Sequence, residues 1–414
     1  MHLPHLTAGI LTAAAALGFL TAGDPQPDPA LWTGNLRYSD ELVASWGEKK
    51  PPPAGEPHLW YWSPAQATRL RAVMLVPNNS DLFRMAEHPA IREVAQRQGI
   101  GILYLAQFSG KVIEFVDQDP PLAEPAFAAT LDLAAKATGI DDFRWAPWIP
   151  VGKSSRGRFP YRTAWKFPER VVCTITYHGE VPPWPMAAWS KATDASILHC
   201  SVNGLSEWDG TWYRSVRPDL LNYHANTRWL CHQAVIFGVD HGYYPDYYLY
   251  PTFQHAMPQR MPGVPKLARC QRVWDYLAQF IDTSVKLRLA PDQYPQGAPP
   301  TLRAVDPASG WLIHPRAPEE LLGLKWFAFR TNDKGEHLKI PWPEEATPVY
   351  DPQQGIIPVG ELIRPASAVP RERWKDFMWI ADRNLAAAWL DLHNTYKLKD
   401  KVLPPLPTTE PGPR

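Results

Sequence analysis

Surplus charge of either sign is what this chain lacks: 42 Lys and Arg balance 42 Asp and Glu over 414 residues. With no basic excess and no Lys/Arg run, nothing steers it to nucleic acid or to an anionic membrane surface. Cysteine is scarce. The four, Cys173, Cys200, Cys231 and Cys270, form no CxxC pair and no zinc-ligand spacing, which excludes a disulfide scaffold and a structural zinc site. Three of them sit in or beside strand-like apolar segments, where a thiol packs as a small hydrophobe; a single disulfide is the alternative. Internal repeats are absent, and no cluster of ligand residues calls for a metal or cofactor.

What the chain has in quantity is proline, 46 residues, and tryptophan, 19, within a composition that is 45% hydrophobic and 20% charged. That composition builds a sizeable core. The prolines imply long ordered loops, and the tryptophans an aromatic core or a surface that stacks on sugar rings, core being the default. At the start, residues 8–23 (AGILTAAAALGFLTAG) are continuously apolar and end in small residues before a Pro-rich stretch. The run is short for a membrane span and reads as an export signal, although its n-region holds only His2 and His5 and no Lys or Arg. The expected location is therefore secreted or periplasmic.

Strand-like and helix-like segments alternate from there. Strand-like segments lie at 58–62, 70–76, 100–105, 146–151, 170–176, 196–202 and 230–237, of which 70–76 and 100–105 are of the buried type that suits a strand covered on both faces. Helical stretches separate most of them, and a long amphipathic helix follows with Leu267, Val273, Trp274, Leu277, Phe280 and Ile281 at helical spacing. The alternation predicts an α/β fold, a mostly parallel central sheet with helices on both faces. After about residue 290 come Pro-rich loops, short strand-like pieces and a late helix over about 377–395. The expected organisation is a signal peptide at 1–23, an N-terminal extension at 24–56, a catalytic domain at 57–290, a small C-terminal appended region at 291–400 and a Pro-rich tail at 401–414.

The stretch Gly152-Lys153-Ser154-Ser155-Arg156-Gly157 imitates two motifs. A phosphate-binding loop needs a glycine at position 147 and flexible N–H groups around it; Pro147 and Pro150 remove both. A nucleophile elbow needs a strand ending in a tight turn, a Ser at its apex, small residues on either side and a helix at once afterwards. Gly152 lies two before Ser154 and Gly157 three after it. From Gly152 to Val172 the chain resembles the elbow-and-helix segment of α/β-hydrolases, down to the closing Pro168-Glu169-Arg170-Val171. Arg156 departs from the usual small residue, a departure it shares with carbohydrate esterases of this fold such as the glucuronoyl esterases.

The resemblance implies the order nucleophile, acid, base, and the chain offers candidates in that order. After the strand at 196–202 comes Gly204-Leu205-Ser206-Glu207, which puts Glu207 in the acid role, with Asp209 and then Glu180 as alternatives. After the last core strand comes Gly238-Val239-Asp240-His241-Gly242, which puts His241 as base ahead of His224, His232 and His255. The oxyanion hole would combine the backbone N–H of Ser155 with one from the 77–79 loop, Asn78 being favoured because Pro77 has no N–H. Lys153, Arg156 and Trp208 are candidate substrate-binding residues, the two cations for an acidic group such as a uronate. Together these imply a secreted serine esterase acting through an acyl-enzyme on carbohydrate or aryl esters, as bacterial carbohydrate and feruloyl-type esterases do. The competing reading is a catalytically inert protein of the same fold that binds or scaffolds.

Overall fold

In the computed structural model the described residues are 27–45, 57–79, 82–106, 123–204, 212–236, 268–318 and 359–394. Glu207, Trp208, Asp209, His241 and His255 lie outside them, as do the export segment and the tail.

The seven segments read as strands are strands, and one shorter strand joins them. β1 (Gly34–Leu36), β2 (Leu59–Trp62), β3 (Ala72–Pro77), β4 (Ile100–Leu105), β5 (Trp148–Lys153), β6 (Cys173–Tyr177), β7 (Leu198–Gly204) and β8 (Leu230–Ile236) form one eight-stranded sheet in the order β1-β2-β4-β3-β5-β6-β7-β8. β2 runs antiparallel to both of its neighbours and every other pairing is parallel. Every residue of β3 through β8 is buried, which explains why β3 and β4 read as unbroken apolar runs rather than alternating ones.

Alternation survives in what each residue touches. Ala72, Met74 and Val76 of β3 join one hydrophobic cluster, Val73 and Leu75 the other, as the two-residue pleat requires. The first cluster holds α1 (Pro89–Gln98), and the second holds α2 (Ala123–Thr138). α3 (Arg158–Lys166) and α4 (Arg217–Asn226) contribute to a third, with Tyr161 and Trp165 set against Tyr223 and Trp229. α5 (Ala268–Arg288) returns to the face of α1, burying Val273, Trp274, Leu277, Phe280 and Ile281. Helices thus cover both faces of a sheet whose strand order, with β2 alone reversed, is that of the α/β-hydrolase fold. Cys173, Cys200 and Cys231, one each on β6, β7 and β8, are buried free thiols. No helix among the described residues is long and apolar enough to cross a membrane.

Two regions depart from the sequence reading. Part of the N-terminal extension enters the sheet as β1, paired with β2 from Gly34 opposite Tyr61 to Leu36 opposite Leu59. The late helix expected from Phe377 begins later: Met378–Ile380 is β11, paired in a small antiparallel sheet with β9 (Trp311–Ile313), which also pairs β10 (Ile363–Pro365). α6 (Arg383–Asn394) starts only after Asp382, whose carboxylate caps the N–H of Leu385 at 2.8 Å. The C-terminal region shares the first cluster with the main sheet through Leu312, Trp379, Leu385 and Trp389.

Candidate functional site: a strained serine between β5 and α3

β5 ends at Lys153, and the chain turns through a single 3-10 turn, Ser154–Arg156, into α3. Ser154 sits at the apex with φ +50°, a left-handed conformation that costs a non-glycine residue of order 1 kcal/mol or more and concentrates at functional sites. Two glycines make the turn possible by what they omit. A Cβ on Gly152 would stand 2.2 Å from the Arg156 carbonyl oxygen and 2.6 Å from Pro160 Cδ. A Cβ on Gly157 would stand 2.7 Å from Gly179 Cα and 3.0 Å from the Ser154 carbonyl oxygen. The elbow therefore closes on itself at Gly152 and against the end of β6 at Gly157. The usual small residue two after the serine is replaced by Arg156, and Gly157 takes over the close approach.

Backbone hydrogen bonds complete the turn. Ser154 N–H donates to the His178 carbonyl at 3.1 Å and Gly157 N–H to the Ser154 carbonyl at 2.8 Å. The Ser154 side chain is partly exposed and Ser155 is exposed. Ser155 lies in the first turn of the helical segment, where leading N–H groups have no intrahelical acceptor, as an oxyanion donor requires.

The expected second donor does not fit. Asn78 N–H donates to the Leu105 carbonyl at 2.7 Å, prolonging the β3–β4 ladder, and its Oδ1 accepts from Tyr104 Oη at 2.9 Å. Both groups are committed to the sheet side. The next residue faces the elbow instead: Asn79 Nδ2 donates to the Lys153 carbonyl and lies 3.4 Å from Ser155 Oγ. Pro77 correctly ruled itself out, but an Asn-Asn pair carries no signal for which of the two belongs to the ladder.

The other sequence candidates separate. Lys153 is 4% exposed at the strand end. Arg156 is half-buried, and no carboxylate among the described residues pairs with it. Glu180, the third choice of acid, lies with its side chain 66% exposed and 3.4 Å from the Arg158 guanidinium, so the structure gives it a surface ion pair. The rival histidines are built into the core or its margin. His232 Nε2 lies 2.6 Å from Tyr276 Oη with burial holding its imidazole down to about 3, and His224 Nδ1 lies 2.9 Å from the Trp229 carbonyl. Neither is offered to Ser154 as a base.

Two residues that the sequence reading passed over support the site. His178, 1% exposed with φ +48°, accepts the Gly204 N–H on Nδ1 at 3.3 Å. Gln233, fully buried, donates from Nε2 to Asn203 Oδ1 at 3.0 Å and to the Trp212 carbonyl at 2.9 Å. Gly179 directly after His178 marks a turn, which was the one available signal. No group of three or more metal-ligating side chains occurs among the described residues.

Strand order and an elbow between β5 and the following helix define the class as an α/β-hydrolase-fold protein. No family model and no curated protein matches the chain. Solved structures similar to it include an S-formylglutathione hydrolase from Agrobacterium tumefaciens, at 15% identity over 46% of this chain and 83% of that one with a TM-score of 0.32. A phospholipase/carboxylesterase from Dyadobacter fermentans is 12% identical over 44% and 88% of the two chains, TM-score 0.30. A fluorophosphonate-binding serine hydrolase from Staphylococcus aureus is 11% identical over 46% and 88%, TM-score 0.31. Identities and scores this low add nothing to what the strand order already defines.

Proposed function

We propose that the protein is a serine hydrolase that cleaves carboxylic esters, with Ser154 as nucleophile, His241 as base and Glu207 as the triad acid. The observation that carries this reading is Ser154 itself: a non-glycine residue held at φ +50° between a buried strand and a helix, in a turn that leaves no room for a Cβ at Gly152 or Gly157. Strain of this kind in an otherwise regular sheet is maintained when it presents a side chain for chemistry. Chain order supports the partners. The 205–211 segment leaves the end of β7 and the segment from 237 onward leaves the end of β8, the positions from which this fold supplies acid and base.

In the proposed reaction Ser154 Oγ attacks the acyl carbonyl as His241 takes its proton, and the alkoxide of the tetrahedral intermediate is held by backbone N–H groups, Ser155 among them. Collapse expels the alcohol, protonated by His241, and leaves an acyl-Ser154 ester. Water, deprotonated by the same histidine, then releases the acid and regenerates the hydroxyl. Glu207 accepts the His241 N–H and stabilises the imidazolium. Arg156, half-buried and next but one to the nucleophile, supports recognition of an acidic group beside the ester, as in a uronate; Trp208 and the aromatic residues of 208–250 support a carbohydrate or aryl substrate. The proposed setting is outside the cytoplasm, with residues 1–23 removed on export, so the exported protein should begin near residue 24 on N-terminal sequencing.

The test is labelling of purified protein with a fluorophosphonate probe, which reacts only with an activated serine. Wild-type protein should label and Ser154→Ala should not. Labelling that survives in Ser154→Ala overturns the assignment, and an unreactive wild type leaves the inert, binding protein of the same fold.

A further inference from the structure

The peptide unit that joins Lys153 to Ser154 is held on both sides, and one of the two supports is a side chain. We propose that Asn79 is a positioning residue of the hydrolytic site, its side-chain amide fixing the Lys153 carbonyl and with it the amide plane from which Ser154 departs. The inference rests on the Ser154 reading and adds to it a residue outside the triad.

Register explains why a side chain is used. β5 lies between β3 and β6. Toward β6 its pairing runs to the end, with Lys153 opposite Tyr177, and the Ser154 N–H then donates to the His178 carbonyl at 3.1 Å. Toward β3 the pairing stops earlier, at Leu75 opposite Pro150. Successive N–H groups of a strand point to alternate neighbours. Val73 N–H donates to the Pro147 carbonyl of the β5 side at 2.8 Å, and Asn78 N–H to the Leu105 carbonyl of the β4 side at 2.7 Å. Carried forward two residues at a time, this register assigns the Val151 carbonyl to Pro77 and the Lys153 carbonyl to Asn79. Pro77 has no N–H, so the first of these rungs cannot form. The second forms through Asn79 Nδ2. The same amide lies 3.4 Å from Ser155 Oγ, and the Asn79 carbonyl accepts the Leu82 N–H at 3.0 Å, which seats the residue in the turn before the short helix Phe83–Glu87.

The consequence falls on the serine. Lys153 C=O and Ser154 N–H belong to one planar amide. With the N–H on the His178 carbonyl and the C=O on Asn79 Nδ2, that plane is pinned from both sides. The following peptide is pinned as well, because the Ser154 carbonyl accepts the Gly157 N–H at 2.8 Å. The φ of +50° at Ser154 is the rotation between these two planes, and a non-glycine residue keeps such a conformation only where its surroundings over-determine it. Releasing the Lys153 carbonyl lets the first plane tilt toward an ordinary φ, which swings the Cα–Cβ bond and the hydroxyl it carries. A nucleophile must be held within about half an ångström of its working position, and the side-chain amide of Asn79 supplies that constraint before substrate arrives.

The experiment follows fluorophosphonate labelling of wild type, Asn79→Ala and Asn79→Asp, resolved into kinact and KI, with a urea unfolding curve for each protein. Asn79→Ala removes the donor and should lower kinact by about 10- to 100-fold with KI changed less than about threefold. Asn79→Asp keeps the size and the turn preference but only accepts hydrogen bonds when ionised, so at about pH 7.5 it should label at least as slowly. Protonation of the introduced carboxyl restores an O–H donor at the same place. The ratio of its kinact to that of wild type should therefore rise about threefold or more between about pH 7.5 and pH 4.5, whereas a merely structural role leaves that ratio flat in the folded protein. An Asn79→Ala kinact within about threefold of wild type, or a flat ratio for Asn79→Asp, overturns the inference while leaving Ser154 as the nucleophile. A wild type that does not label, or labelling that persists in Ser154→Ala, refutes the Ser154 reading and this inference with it. Should Asn79→Ala not fold, Asn79→Ser replaces it, since its shorter side chain falls short of the Lys153 carbonyl.

Discussion

Gly152→Ala is the smallest change that tests whether the turn around Ser154 is as tightly closed as the geometry indicates. The added methyl would lie 2.2 Å from the Arg156 carbonyl oxygen and 2.6 Å from Pro160 Cδ. Neither neighbour can rotate away: one is backbone, the other a proline ring at the start of α3. Ordinary contact needs roughly 3.4 Å or more, so strand and helix must part by about an ångström, and overpacking of this sort costs about 1–3 kcal/mol. The displacement falls on the turn that carries Ser154, where a misplacement of about an ångström lowers a reaction rate by about a hundredfold. The expected result is a urea unfolding midpoint lowered by that free energy, with an unchanged m-value, and a fluorophosphonate labelling rate lowered by one to two orders of magnitude. A Gly152→Ala protein that unfolds at the wild-type midpoint and labels at the wild-type rate would falsify the closed-turn argument. A variant that loses stability but labels normally would show that strand and helix yield without moving the serine.

Three other outcomes follow from the described contacts. Glu180→Gln should change kcat less than about threefold, because its carboxylate is in an exposed pair with Arg158 and such pairs are weak; a loss of a hundredfold would make it the triad acid. Trp389→Phe removes the Nε1–H that donates to the Gln233 carbonyl at 2.9 Å in a buried setting, and should cost about 1–3 kcal/mol in urea unfolding, with no measurable change refuting that contact. Burial holds the His393 imidazole down to about 4, below its unfolded value of about 6.5, so between those two pH values the unfolded chain binds the proton and the folded one does not. Stability from this group is complete above about pH 6.5 and declines as pH falls to about 4, by up to about 3 kcal/mol. His393→Gln, compared with wild type by urea unfolding at pH 7 and pH 5, should lose less stability on acidification; equal losses would refute the assignment.

The strands were legible because burial on both faces leaves a simple signature. Ala72 to Val76 and Ile100 to Leu105 had to be apolar throughout, and they became β3 and β4. The serine turn was legible for a related reason, since Gly152 and Gly157 record in the sequence a closeness of backbones that no other residue permits. β1 was not, because the three residues Gly34–Leu36 are too few to show a pattern and gain their place only by pairing with β2. Met378–Ile380 looked like the start of a helix because three apolar residues ahead of a helical stretch extend its pattern; pairing with β9 and the cap at Asp382 decide otherwise. Asn78 and Asn79 differ in role through which backbone N–H the ladder takes, and His178 and Gln233 act through hydrogen bonds to main-chain atoms distant in sequence. None of these has a periodicity to read.

The C-terminal region bears on the site through the edge of the sheet. β8 is the last strand, and the 237–267 segment with His241 begins where it ends. An edge strand has unpaired N–H and carbonyl groups along one side and little to hold its register. α6 supplies what a ninth strand would: Trp389 Nε1 donates to the Gln233 carbonyl at 2.9 Å, and His393 Nε2 accepts the Val235 N–H at 3.2 Å. His393 Nδ1 lies 2.7 Å from the Trp389 carbonyl one helical turn back, so donation there leaves Nε2 as the acceptor and requires the neutral ring that burial favours. Gln233 is thus held twice, its carbonyl by Trp389 on the outer side and its amide Nε2 by Asn203 Oδ1 and the Trp212 carbonyl. β8 is thus held on one side by α6 and on the other by β7, and the segment proposed to carry the base follows it in the chain. The described residues of the appended region therefore brace the strand at the edge of the main sheet.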